Sequence, residues 1–273
     1  MAVVLVTGCS SGFGEAIALG FAQRGDTVVA TMRRPEKASA ALTGFGPNLT
    51  VAPLDVTDPA SRQRAIDSVI ERFGRIDVLV NNAGVSGTSP SEEMPEAEQR
   101  RIFDTNYFGP VAMMQLVMPL MRAQGGGRMV TVTSVAAISK PTMRGTYAAS
   151  KHAIDAACAV FDIEGRAFGI RAPTVLPGYF VTAIRENLAV NQCSDIYLPL
   201  QEGFARNSGH QAVAETNLDT VVDAVVDAAT NPDPQQRYLV GAGFAQKIQP
   251  IVNAFNELHE WELYRSGQKA EPL

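Results

Sequence analysis

The segment Tyr147-Ala-Ala-Ser-Lys151 sets a phenol and an amine four residues apart, which on a helix puts both side chains on one face. A free phenol has a pKa of about 10 and is a poor base at neutral pH. A neighbouring ammonium favours the phenolate. Such a pair can hand a proton to a developing alkoxide or take one from an alcohol. Ser134 closes the apolar run Arg128–Ser134, so its hydroxyl can reach the same crevice and hold a carbonyl oxygen. Taken alone, Tyr-x₃-Lys is a common string, and an ordinary helix face is the competing reading.

The elements that must position these groups follow from the apolar pattern. Val3–Thr7, Thr27–Thr31, Leu49–Pro53, Ile76–Asn81, Arg128–Ser134 and Ile170–Leu176 are short, mostly β-branched runs. Helical stretches fall at Glu15–Arg24, Pro59–Phe73, Glu98–Ala123 and Tyr147–Phe168. Strands apolar throughout are buried on both faces, which in a β-α alternation means a parallel sheet covered by helices. The fold class predicted is α/β, a doubly wound parallel sheet with helices on both faces and a C-terminal helical extension. Ligands of such sheets bind beyond the carboxyl ends of the strands. Residues 179–215 read as a polar, irregular substrate flap. Leu218–Ala229 reads as a helix and Tyr238–Gly241 as a last strand. Ile248, Ile251, Val252, Phe255, Leu258 and Trp261 recur at helical spacing as a core or subunit-interface stripe, before a tail in 246–273. Without repeats or a low-complexity linker, 1–273 is expected to be a single dinucleotide-binding and catalytic domain.

The dinucleotide reading comes from Thr7-Gly8-Cys9-Ser10-Ser11-Gly12-Phe13-Gly14, set between the first strand and the first helix. Glycines there allow a tight turn and close approach to a pyrophosphate, and the helix amino terminus offers unpaired N–H groups. A plain turn is the alternative, and Cys9 reads as a small filler. A free ribose 2′-hydroxyl is usually held by a carboxylate at the end of the second strand. Here that strand ends Ala30-Thr31-Met32-Arg33-Arg34 with no acid, and Glu36 follows only after Pro35. Guanidiniums at that place favour a 2′-phosphate, to which Ser11 can add a hydrogen bond. The cofactor expected is therefore NADP(H), with NAD as the alternative should Arg33 and Arg34 be only solvated surface.

Thr7-Gly-x₃-Gly-x-Gly14, Asn81-Asn82-Ala83-Gly84, Asn106, Ser134, Tyr147-x₃-Lys151 and Pro177-Gly178 occur in this order. The combination closely resembles the short-chain dehydrogenase/reductase family across residues 2–245. Within it, the glycine turn and Ala30-Thr-Met-Arg33 look most like the branch containing 17β-hydroxysteroid and retinol dehydrogenases. The resemblance implies that Tyr147 is the general acid and base. Lys151 would bind the nicotinamide ribose, favour Tyr147 ionisation and pass protons onward, and Ser134 would polarise the carbonyl. Asn106 would hold a water linking Lys151 to solvent. Gly8, Ser10, Ser11, Gly12, Phe13 and Gly14 would cradle the pyrophosphate, and Arg33 would meet the adenine-side ribose. Asp55 and Val56 would meet the adenine, with the carboxylate accepting from the exocyclic amine. Asn82, Ala83 and Gly84 would border the adenine-side ribose, Asn82 in part bracing the sheet. Pro177, Gly178, Val181 and Thr182 would line the nicotinamide. Phe13 departs mildly from the family, where an aliphatic residue is usual.

Composition narrows the partners. With 273 residues, 46% hydrophobic, the chain can bury a large core. A net charge of −5 gives no bulk basic field for nucleic acid or an anionic membrane, and no apolar run is long enough to span a bilayer. Cys9, Cys158 and Cys193 lie apart and read as free thiols, consistent with a soluble, cytoplasmic protein. No metal is expected; His152, His210 and His259 lack ligand spacing and read as surface or helix histidines. The partner is a small-molecule substrate, and Ile138, Met143, Tyr179 and Phe180 form its expected apolar pocket, hinting at a bulky hydrophobic ketone or alcohol. Arg144 reads as an exposed loop residue, with an acidic substrate group as the alternative. By resemblance, the helices at Glu98–Ala123 and Tyr147–Phe168 make a homodimer or homotetramer. Two rivals stay open: a non-catalytic dinucleotide sensor, which would lack part of the Ser134, Tyr147, Lys151 set, and an epimerase or dehydratase, which needs a larger C-terminal domain.

Overall fold

Alternating buried strands and amphipathic helices wind through the computed structural model, which describes residues 1–180, 189–190, 193–209, 217–241 and 244–267. The order is β1 (Val3–Thr7), α1 (Gly12–Gln23), β2 (Thr27–Met32), α2 (Ala40–Thr43), β3 (Leu49–Pro53), α3 (Pro59–Phe73) and β4 (Val78–Asn81). There follow β5 (Gly87–Thr88), α4 (Glu96–Phe103), α5 (Gly109–Ala123), β6 (Gly127–Val132), α6 (Gly145–Gly165), β7 (Ile170–Arg171) and β8 (Thr174–Pro177). The last are β9 (Ala189–Val190), α7 (Leu198–Gly209), α8 (Asp219–Thr230), β10 (Arg237–Val240) and α9 (Phe244–Arg265).

The main sheet runs β10-β8-β6-β4-β1-β2-β3, with β7 beside β6, and every pairing in it is parallel. β1 and β2 pair residue for residue from Val3–Thr27 to Thr7–Thr31. Strands of one direction present their carboxyl ends along one edge, where the turns carrying Gly8, Arg33, Asp55, Asn82, Ser134 and Gly178 emerge. One face packs Ile17 and Phe21 of α1 against Val221 and Val225 of α8; the other takes Ile66 of α3, Met113 and Val117 of α5, and Ile154 of α6. Burying apolar area at about 25 cal/mol per Å² on both faces is the main force holding this layered arrangement. The doubly wound parallel sheet expected from the sequence is thus present, with the C-terminal helix.

The local departures have physical causes. The run Arg128–Ser134 leaves the sheet at Val132, so Ser134 stands two residues beyond the strand. Ile170–Leu176 divides into β7 and β8 around Pro173, which has no N–H to give a ladder. Between α4 and α5 the helix loosens into a π turn, Asp104–Phe108, because Pro110 cannot donate to the carbonyl of residue 106. The segment expected to be irregular holds β9, which pairs with β5, and the whole of α7. Its polar composition suggested irregular chain, but helical spacing holds from Leu198, and Pro199 stands in the first helical turn, where a missing N–H costs nothing.

α9 buries Ile248, Val252, His259 and Leu263, while Ile251, Phe255, Leu258 and Trp261 face outward, so the expected stripe is divided between two sides. His259 is not a surface residue. Its ring nitrogen lies 2.9 Å from Asp162 of α6, whose carboxylate also takes Arg171 at 2.9 Å and Arg166 at 3.2 Å. Burial alone would raise the Asp162 pKa; the His259 hydrogen bond, the Arg171 charge and the Ala172 amide hold it well below the usual carboxylate range. This hub ties α9 to the far end of the helix that begins beside Tyr147.

Candidate active site

β1 ends at Thr7 and the chain turns at Gly8, whose φ of 73° is open to glycine at little cost. A Cβ at Gly8 would sit 2.7 Å from the Ala83 backbone, and one at Gly14 would sit 2.3 Å from the Gly8 carbonyl oxygen. The turn is therefore pressed against both the β4 turn and the first turn of α1. Ser11, at the head of α1, caps none of its amides, so the first-turn N–H groups are left for a ligand. Asn82 donates to the Thr7 and Gly8 carbonyls at 3.0 and 3.1 Å, and the Asn82 and Ala83 amides donate to Thr7 Oγ1. Asn82 thus braces the sheet edge. Cys9 is wholly buried, burial pushes its thiol pKa up, and it packs in the core as a filler. The Cys158 thiol is likewise raised by burial, to about 12.

A cleft of about 1480 Å³ runs along this carboxyl edge. From the glycine turn it is lined by Gly8, Ser10, Ser11, Gly12 and Phe13, while Gly14 lies behind them as a packing contact. Arg33, Asp55, Val56, Ala83 and Gly84 follow, with Asn82 among them. Arg34 and Lys37 also line it, extending the basic wall beyond Arg33; the cluster of three cations after β2 was the signal for Lys37. One Asp55 carboxylate oxygen accepts from Thr57 N and Oγ1 at 2.9 and 2.7 Å, which fixes its orientation. This end, with an uncapped helix terminus, a turn no Cβ could enter and a basic wall, fits the pyrophosphate of a nicotinamide dinucleotide.

Toward the middle, Ser134, Tyr147 and Lys151 line the same cleft with Pro177 and Gly178. Tyr147 and Lys151 are both about nine-tenths buried or more, at 6% and 5% exposure, and the ammonium lies 5.9 Å from the phenol ring centre. Lys151 Nζ donates to the Val132 carbonyl at 3.3 Å. Ser134 begins a 3-10 turn and its hydroxyl accepts from the Ala136 amide at 3.1 Å. Asn106 does not line the cleft. It sits buried behind it in the π turn, exchanging hydrogen bonds with the Val85 backbone at 2.9 Å and donating to Ser150 at 3.0 Å. Ser150 in turn donates to the Tyr147 carbonyl at 2.7 Å, so Asn106 pins the first turns of α6 to the β4–β5 loop.

The end of the cleft beyond Tyr147 departs most from expectation. Tyr179 and Phe180 line the cleft, but Phe180 is buried edge-to-face on Phe13, with ring centres 5.3 Å apart. The aromatic in the glycine turn thereby has a partner at the base of the flap. Ile138 and Met143 do not line the cleft; Met143 is buried and contributes to a smaller neighbouring cavity of about 570 Å³. Their place is taken by Pro141 and Thr142 and by Leu200 and Phe204 of α7. The four-residue spacing of Leu200 and Phe204 was a legible helical signal inside the segment read as irregular. Arg144 is also corrected: it is half-buried, lines the cleft, and lies over the Tyr147 ring. Val181, Thr182 and His210 fall outside the described residues.

The chain matches the family model described as short chain dehydrogenase over residues 2–192. A 3-ketodihydrosphingosine reductase of Bacteroides thetaiotaomicron is 30% identical over 75% of this chain and 74% of its own length. Retinol dehydrogenase 8 of Bos taurus is 32% identical over 84% and 79%. The crystal structure of a short-chain dehydrogenase from Streptomyces avermitilis superimposes with a TM-score of 0.85 at 29% identity, covering 98% of each chain.

Proposed function

The chain belongs to the short-chain dehydrogenase/reductase family, and from that membership we propose that it is an NADP(H)-linked oxidoreductase interconverting a carbonyl and a secondary alcohol, with Tyr147 as general acid and base. The observation that carries this reading is the convergence of Tyr147, Lys151 and Ser134 in one cleft, with the ammonium 5.9 Å from the ring. A bound nicotinamide dinucleotide supplies or accepts the hydride. In reduction, Ser134 donates a hydrogen bond to the carbonyl oxygen, and Tyr147 delivers its proton as negative charge builds there. Lys151, held by the Val132 carbonyl, stabilises the resulting phenolate and returns a proton to it. Oxidation runs through the same groups in reverse.

Arg33, Arg34 and Lys37 support the 2′-phosphorylated cofactor, since charge-assisted contacts favour the extra dianion. Gly8, Ser10, Ser11, Gly12 and Phe13 would hold the pyrophosphate, Asp55 and Val56 the adenine, and Pro177 and Gly178 the nicotinamide. A bulky, hydrophobic substrate is supported by the apolar wall of Pro141, Leu200 and Phe204, and by relatives named for ketodihydrosphingosine and retinol. A single domain and a homodimer or homotetramer assembled through α5 and α6 complete the proposal. Phe108, Val160 and Phe168 are exposed on or beside those helices. In the test, Tyr147→Phe keeps NADPH affinity, read by nucleotide fluorescence, and loses about a thousandfold or more in turnover. A Tyr147→Phe protein that still reduces a ketone at near wild-type rate would remove the mechanism.

A further inference from the structure

We propose that Arg144 is a positioning residue for Tyr147, holding the phenol from its ring face and favouring the ionised state through which the proton passes. The inference rests on the reading of Tyr147 as the acid and base. The Arg144 guanidinium carbon lies 4.8 Å from the centre of the Tyr147 ring, closer than the Lys151 ammonium. Its Nη2 donates to Ser86 Oγ at 2.8 Å, and Ser86 is fully buried beside β5. Its Nε is buried with no hydrogen-bond partner among the described residues. An arginine that merely decorated a loop would keep Nε in water; this one forgoes that bond to lie on the ring.

The backbone is committed to the same pose. Met143, immediately before, has a φ of 65°, a left-handed conformation a non-glycine side chain adopts at a cost. Its carbonyl accepts from the Ser89 amide at 2.9 Å, tying the strained residue to the β5 loop. Arg144 stands immediately before α6, its carbonyl accepting from the Ala148 amide, so little freedom remains between the loop and Tyr147.

A cation on a ring face is attracted by the ring quadrupole, and the attraction grows when the ring becomes a phenolate. The contact is therefore stronger after Tyr147 has given its proton than before, which is the condition for lowering a barrier. The other charged groups near this end are few. Lys151 is on the same helix. Arg101 lines the cleft but is paired with Glu98 on α4, Arg100 is paired with Glu96, and Asp104 in the π turn is exposed. Lys140 is exposed on the same loop, and His152 is spent on the Ala148 carbonyl. Among the described lining residues the one carboxylate is Asp55, which follows β3, four strands away from β6.

Arg144→Met keeps the bulk and removes the charge, and Arg144→Lys restores the charge. The readout is tyrosinate ultraviolet absorbance against pH, with the Tyr147→Phe protein subtracted to isolate one phenol. In Arg144→Met the Tyr147 band should emerge about one pH unit higher than in the wild type, and in Arg144→Lys less than half that far. Turnover of an aromatic ketone with NADPH should fall about tenfold with KM unchanged. Ser86→Ala, which frees Nη2, should move the band the same way by a smaller amount, and covers the case of a poorly folded Arg144→Met. An unmoved band in both Arg144→Met and Ser86→Ala overturns the inference, as does a loss confined to KM for acidic substrates. An active Tyr147→Phe enzyme would instead overturn the reading beneath it.

Discussion

Beyond β1, β2, β3 and β4 the walls of the cleft are turns, each following its own strand directly; beyond β6 and β8 the turns carrying Ser134 and Gly178 are joined by side chains delivered from separate segments. At the first end, Ser10, Ser11, Arg33, Asp55, Val56 and Ala83 all face the cleft, where the sequence placed them. At the second, Ile138 and Met143 turn away while Leu200 and Phe204 arrive from α7. A turn inherits its position from the strand before it, and a parallel sheet fixes all those strands to one edge. A pocket wall made of side chains depends on which loop folds over which, and short-range pattern does not carry that.

The contrast can be broken by substitution. If backbone geometry makes the cofactor end, the largest effect belongs to a residue with no side chain. Gly14→Ala would place a Cβ 2.3 Å from the Gly8 carbonyl oxygen, forcing α1 away from the turn. NADPH affinity, measured by titration calorimetry, should fall about a hundredfold; a normal affinity would mean the turn yields without cost. Next comes Arg33→Ala, which leaves the backbone alone and removes one of three exposed cations. It should weaken NADPH about tenfold and NADH much less. Equal weakening of the two would show that the arginine does not read a 2′-phosphate.

Smaller effects are expected at the other end. Leu200→Ala should raise KM for bulky apolar ketones roughly tenfold and leave a small aldehyde unaffected. Ile138→Ala, outside the cleft, should leave KM within about twofold for either. Reversal of those two results would return the pocket to the loop over residues 136–146 that carries Ile138 and Met143, and make α7 a bystander.

How much was legible follows the same division. β1 and α3 begin and end where the apolar pattern put them, and the structure adds the reason at α3, Asp58 capping its start and Gly74 closing it in the left-handed conformation. Tyr147 and Lys151 share a face because helical spacing requires it. Phe13, by contrast, looked like a mild oddity until Phe180, which follows β8, packed edge-to-face with it on the same side of the sheet. Arg144 read as a solvated loop residue because nothing nearby in sequence announces Ser86 or the strained Met143 backbone. His259 read as a surface or helix residue because Asp162 stands on another helix, 97 residues away.

By itself, then, the chain determined the layered parallel sheet, its glycine turn and the phenol–amine pair, since each depends on contacts between near neighbours or on a repeat that burial enforces. Tertiary structure alone decided what leans on Tyr147, which side chains wall the cleft beyond β6 and β8, and which charges are buried. Those depend on pairs of side chains brought together only after the sheet has closed, when desolvation rewards some contacts and forbids others.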